Sequence, residues 1–135
     1  MPFPRKKLED LLASYPGIQL AILFGSLAKG RERPGSDVDL ALAAREPMAA
    51  GDKAHLIEAI ALLTGRPVDL IDLHTANGMI LKEALVGGEM LFCADRTLYA
   101  NFIQKMLRDE ADWMPYRRRI LAERRLDWIR RLPCV

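Results

Sequence analysis

The sequence predicts an α/β (α+β) domain, a small β-sheet with helices packed against it and a helical tail at the C-terminus. Three observations predict it. Apolar residues recur at helical spacing around residues 8–15, 56–63 and 80–85. Short apolar or alternating runs lie between these stretches, at Ile18–Phe24, Asp37–Leu42 and Val68–Leu73. Gly and Pro stand at the junctions.

Leu8, Leu11, Leu12 and Tyr15 stand at i, i+3, i+4 and i+7, one face of a first helix, which Pro16-Gly17 stops. Ile18–Phe24 reads as a strand with Leu20, Ile22 and Phe24 on one face and Ala21 and Leu23 on the other. Both faces are apolar, so this strand belongs in the middle of the sheet, covered on both sides. Gly25–Gly35 is a loop with one short helical turn at Ser26–Lys29. Asp37–Leu42 alternates cleanly: Val38, Leu40 and Leu42 face the core, while Asp37, Asp39 and Ala41 face the other way. Asp52–Leu63 is a helix with the stripe Leu56, Ile57, Ile60 and Leu63, and Gly65 stops it. Val68–Leu73 is a third strand. Gly78–Val86 is helical with Ile80, Leu81, Ala84 and Leu85 inward, and Glu89–Cys93 is a short edge strand. From Asp95 the chain is helix, broken near Pro115.

With 135 residues, 50% hydrophobic and 28% charged, the chain fits one folded domain and is too apolar to be disordered. Its longest apolar runs, such as Leu20–Phe24, reach five residues, far short of the roughly 18 that a membrane span needs. The start, Met-Pro-Phe-Pro-Arg-Lys-Lys, has no apolar export segment, so a cytoplasmic location is expected. Cys93 and Cys134 have no zinc-type spacing and read as free thiols. His55 and His74 read as surface or hydrogen-bonded side chains, and Met79 and Met106 as core filling.

The chemistry concentrates in Gly25-Ser26-Leu27-Ala28-Lys29-Gly30 and Ser36-Asp37-Val38-Asp39-Leu40. Asp37 and Asp39 project from one face of a strand, where two carboxylates repel. A divalent cation removes that repulsion, and hard oxygen ligands of this kind suit Mg²⁺ shared with substrate phosphates. Gly25 allows a close approach of backbone to ligand, Ser26 and the amides after it suit phosphate oxygens, and Lys29 adds a positive charge.

These residues resemble the signature of the DNA polymerase β-like nucleotidyltransferase superfamily, a Gly-Ser followed by Asp-x-Asp. The match is closest to the minimal nucleotidyltransferases (MNT), with GSLAKG and SDVDL in place of their Gly-Ser-x-Ala-Arg-Gly and Ser-Asp-x-Asp-Leu. Lys29 stands where arginine is commoner, and the likeness runs from about Leu20 to Phe92. It implies the polymerase β-like fold with a small mixed sheet, and a minimal domain over residues 1–94 with a helical extension, 95–135, packed on it. It also implies a third carboxylate on a later strand. Asp69 and Asp72 are both available there, and alternation against Val68 and Leu70 puts Asp69 on the carboxylate face. Asp72 then reads as a strand-end residue near the surface. The activity implied is transfer of AMP from ATP, with two Mg²⁺ ions on Asp37, Asp39 and Asp69, and with Gly25 and Ser26 on the β- and γ-phosphates. Asp69 would help to deprotonate the acceptor.

Seven arginines, Arg117, Arg118, Arg119, Arg124, Arg125, Arg130 and Arg131, crowd the last 19 residues around the apolar stripe Leu121, Trp128 and Leu132. Such a helix suits nucleic acid or an acidic protein surface, and its scarcity of stacking aromatics favours protein. A chain this short has no separate acceptor-binding domain. It therefore resembles the antitoxin half of HEPN/MNT toxin–antitoxin modules, which adds AMP to a tyrosine of its HEPN ribonuclease partner in a hetero-oligomer. Neutralisation of a toxin by contact alone, and transfer to RNA or a small molecule, are the alternatives.

Overall fold

The computed structural model describes residues 3–30 and 35–113. The expected helix break at Pro115 and the arginine-rich tail lie outside the described residues. Eight elements follow one another: α1 (Arg5–Ala13), β1 (Ile18–Phe24), β2 (Val38–Ala44), α2 (Ala50–Thr64), β3 (Val68–Asp72), α3 (Gly78–Gly87), β4 (Glu89–Cys93) and α4 (Arg96–Trp113). Their order is the expected one, with boundaries moved by a residue or two. β1 and β4 keep the limits read from the sequence.

The strands form one sheet in the order β3-β2-β1-β4. β1 runs antiparallel to both β2 and β4, and β2 runs parallel to β3. The sheet is therefore mixed, and its one parallel pair is bridged by α2, because a parallel connection needs a long crossover. β1 is interior, as its two apolar faces require.

Each sheet face carries its own core. On one side Ala21, Leu23, Val38, Leu40 and Leu42 pack against Leu8 and Leu12 of α1 and Leu56 and Ile60 of α2. On the other side Leu20, Ile22, Phe24, Ala41 and Ala43 pack against α3 and α4 through Leu81, Leu85, Phe102 and Ile103. The alternation in β2 sorts Leu to one side and Ala to the other, so α3 and α4 sit close over small residues. α2 ends at Gly65, whose φ of 67° and N–H bond of 2.8 Å to the Ala61 carbonyl make a left-handed cap.

Four expectations need correcting. Met79 is 86% exposed, not core, and Ile80 also points outward; Met106 is buried as expected. Asp72 is not a surface residue: it is 4% exposed. Its two carboxylate oxygens accept the Met48 N–H at 2.8 Å and the His74 N–H at 2.9 Å, which ties the β2–α2 connection to the turn before α3. Cys93 is disulfide-bonded, not a free thiol, and the other cysteine, Cys134, lies outside the described residues. Among the described residues no helix is long and apolar enough to cross a membrane.

Candidate active site

β1 ends where β2 and β3 begin, so one end of the sheet gathers the residues that the sequence singled out. Asp39 is the second residue of β2 and Asp69 the second of β3. The parallel ladder pairs them directly, in the register Val38–Val68, Asp39–Asp69 and Leu40–Leu70. Their side chains therefore leave the same face, the one that Ala41 continues toward α3 and α4. Asp37 lies two residues before Asp39 in the segment entering β2. That segment is held from both sides: the Ser36 carbonyl accepts an Arg66 guanidinium N–H at 3.2 Å, and the Val38 N–H donates to the Pro67 carbonyl at 2.8 Å.

Gly25 closes the site from the β1 side. Phe24 is paired with Asp39, so the next residue meets the Asp39 side chain. Gly25 has a φ of 74°, and a Cβ placed on it would run into Oδ2 of Asp39. Glycine is required here twice over, by the left-handed backbone and by the approach to the carboxylate. Ser26 to Lys29 then make a single turn, closed by a 3.3 Å bond from the Lys29 N–H to the Gly25 carbonyl. Leu27 is buried beneath this turn, and its carbonyl accepts Arg5 Nη2 at 2.7 Å. Arg5 also pairs with Glu89 at 3.1 Å, so α1 grips the turn and the edge strand together. Lys29 is exposed on the turn.

The electrostatics follow from this crowding. Burial first, then the charges of Asp69, Asp37 and Glu83, push the Asp39 carboxyl above its ordinary value. Glu83, on α3, is a carboxylate that no local motif flagged, since only the packing of α3 over β1 brings it near. Asp37 and Asp69 are exposed, and Asp39 is half-buried. Among the described residues no His, Cys, Asp or Glu trio converges into a preformed metal cage. The donor set still fits Mg²⁺: hard oxygen ligands on one face, and a space at Asp39 that any side chain on Gly25 would fill. His55 is exposed beside Tyr15, and His74 Nε2 lies 2.7 Å from the Ala44 carbonyl, a surface and a hydrogen-bonded histidine as expected.

A family model described as polymerase beta nucleotidyltransferase matches residues 6–97. The chain belongs to this family. A curated relative, the protein adenylyltransferase MntA of Shewanella oneidensis, is 29% identical over 87 residues, 64% of this chain and 63% of its own. That match spans just under two-thirds of the relative. Among solved structures, a toxin–antitoxin bound to AMP-PNP superposes with a TM-score of 0.73 at 25% identity, covering 89% of this chain and 97% of that one. An MNT antitoxin in complex with a tri-AMPylated HEPN toxin, also from Shewanella oneidensis, shares the fold at 21% identity and a TM-score of 0.64, over 88% and 97% of the two chains. In this nucleotidyltransferase the family-matched stretch holds every element of the candidate site, from α1 through α3.

Proposed function

We propose that this nucleotidyltransferase moves AMP from ATP to a protein hydroxyl, a tyrosine of a HEPN-type ribonuclease toxin, and thereby serves as the antitoxin of the pair. The observation that carries this reading is the paired register of Asp39 and Asp69, with Gly25 against Asp39 and Asp37 two residues before it. The similarity to MntA and to toxin–antitoxin chains supports the choice of nucleotide and acceptor. The reading puts the reaction in the cytoplasm, the location expected from the sequence. Residues 1–94 would form the catalytic unit, and 95–135 the extension on it.

Asp37, Asp39 and Asp69 would hold two Mg²⁺ ions. Bound there, Mg²⁺ neutralises triphosphate charge and makes the acceptor hydroxyl more acidic. Gly25 and Ser26 hold the β- and γ-phosphates on the turn that Leu27 and Arg5 keep rigid, and Lys29 adds charge at its rim. Asp69, exposed at the head of β3, takes the acceptor proton. The acceptor oxygen bonds to the α-phosphorus, the bond to the β-phosphate bridging oxygen breaks, and pyrophosphate leaves. Much of the acceleration in such chemistry comes from positioning and charge stabilisation.

The test is co-expression with a HEPN-type toxin, followed by intact-mass measurement of that partner with ATP and Mg²⁺. One or more added AMP units on the partner are expected. Asp39→Asn should lower transfer by more than about a hundredfold, beyond the range for losing even an outer partner of a metal site. AMP appearing on RNA or a small molecule instead, or near-parental transfer by Asp39→Asn, would refute the reading.

A further inference from the structure

The candidate site is assembled from the turn after β1, the segment entering β2 and the head of β3, and one aromatic ring stands where they are fastened. Phe3 precedes α1 and is buried, in the same apolar cluster as Leu27 and Val38. The Arg5 guanidinium lies over its ring, 5.9 Å from the centroid. The Arg66 guanidinium lies over the same ring, also at 5.9 Å. Each guanidinium donates in addition to a main-chain carbonyl beside a site residue. Arg5 Nη2 donates to the carbonyl of Leu27, next to Ser26, at 2.7 Å. Arg66 Nη1 donates to the carbonyl of Ser36, next to Asp37, at 3.2 Å. Arg66 itself follows the left-handed cap at Gly65 and stands three residues before Asp69. Glu89 accepts Arg5 Nε at 3.1 Å and balances its charge. Two cations beside one ring repel each other. The negative face of the ring and the carbonyl oxygens offset that repulsion.

We infer that Phe3 is a positioning residue of the nucleotide site: its ring aligns Arg5 and Arg66, and through them it fixes the phosphate-binding turn relative to the Asp37 segment. The inference rests on the nucleotide-binding part of the proposed function and does not depend on the acceptor. Chemistry argues for it. A guanidinium can turn its flat face to a ring while an edge N–H donates to a carbonyl, whereas an ammonium is a point charge without that planar fork. Place argues for it too. Leu27 and Ser36 stand near opposite ends of the stretch that runs from Ser26 to Asp37. Holding both carbonyls sets the spacing between the phosphate-binding turn and a carboxylate before the nucleotide arrives, which lowers the ordering cost of binding. The family-matched residues, 6–97, include Arg66 but neither Phe3 nor Arg5, so the clamp is separate from the Gly-Ser and Asp-x-Asp signature. Core filling alone accounts for the burial of Phe3. It does not account for two guanidiniums on its ring, each bonded to a carbonyl beside a site residue.

The test measures binding of AMP-PNP with Mg²⁺ to the full chain by calorimetry, beside urea unfolding. Phe3→pentafluorophenylalanine keeps the ring and reverses its quadrupole, while Phe3→Leu keeps an apolar side chain and removes the ring. Both should raise the Kd about tenfold, the effect of losing two cation–π contacts. Arg5→Lys and Arg66→Lys should each raise it. Combined, they should raise it by less than the product of their separate effects, because either one alone opens the clamp. In the pentafluorophenylalanine background their effects should multiply. Should Phe3→Leu fail to fold, the pentafluorophenylalanine variant and the lysine cycle still decide. A Kd within about twofold of the parent for both Phe3 variants, with only the urea midpoint lowered, makes Phe3 core filling and overturns the inference. A raised Kd for Phe3→Leu alone assigns the effect to ring shape and overturns it as well. A parent that binds no AMP-PNP overturns the nucleotide reading and the inference together. The expected Kd pattern in a chain that transfers no AMP to a partner supports the clamp and overturns only the acceptor reading.

Discussion

Asp39 carries the largest electrostatic cost at the site. It is half-buried, faces Asp69 across the ladder, follows Asp37 by two residues and feels Glu83 from α3. Burial and these charges raise its carboxyl above the ordinary value, so the folded chain holds this proton more tightly than the unfolded chain does. For an acid shifted upward, the stabilising contribution is complete below the unfolded value, at about pH 4, and is lost as pH rises through the folded value. Metal-free Asp39→Asn should therefore melt above the parent at neutral pH, and the gap should close as pH falls toward about 4. Mg²⁺-ATP should raise the melting temperature of the parent and not of the variant. Calorimetric melts from about pH 4 to about pH 8 check this; a variant that melts below the parent throughout would mean that Asp39 is stabilising as a charge.

At the scale of elements, β3 gives two aspartates opposite work. Asp69 sits in register with Asp39 on the α3 side, exposed. Asp72 is three residues further on, so alternation turns it to the other side, where it is buried and binds the N–H groups of Met48 and His74. Asp69→Ala should remove transfer without lowering the urea midpoint. Asp72→Ala should do the reverse. It strands two backbone donors, at a cost of about 1–3 kcal/mol for each one left buried and unpaired, while the rate per folded molecule stays near that of the parent. A labelled-ATP assay beside urea unfolding separates the two. The opposite ranking would require β3 to be shifted by one residue.

At the scale of the molecule, the described residues form one four-stranded sheet with helices on both faces, and its reactive end is built from the start of β2, the start of β3 and the turn after β1. In the proposed function, acceptor geometry comes from the complex. Correct placement of the acceptor can contribute roughly 7–11 kcal/mol in favourable cases. The arginines beyond Pro115 suit that complex by composition. Arginine and Trp128 are residue types that recur in binding hot spots. Truncation after Pro115 should weaken the purified complex, read as a faster dissociation rate, while the Mg²⁺-ATP thermal shift of the shortened chain stays within error of the parent. Equal loss of both would place the tail inside the nucleotide site.

Periodicity over seven residues was sufficient for β1, whose limits and interior position follow from apolar residues on both faces. The grouping of Gly25, Asp37, Asp39 and Asp69 was legible through the family resemblance, with strand alternation choosing Asp69 over Asp72. Gly-Ser follows a buried strand, and alternation in β2 and β3 needs only the pairing of Val38 with Val68 to bring the carboxylates together. Other features were decided only by the tertiary structure. α3 is apolar at Met79, Ile80, Leu81, Ala84, Leu85 and Val86, nearly all the way round, so its sequence admits more than one inward face. The sheet order, which lays Leu81 and Leu85 on β1 and leaves Met79 and Glu83 outside, makes the choice. Asp72 looks like any strand-end aspartate with a local bond from the His74 N–H until Met48 brings its N–H to it from the β2–α2 connection. Arg5 and Arg66 likewise become clamps on the reactive end only through contacts 22 and 30 residues away. Local periodicity specifies which faces are apolar; which apolar face finds a partner depends on what the rest of the chain has already covered.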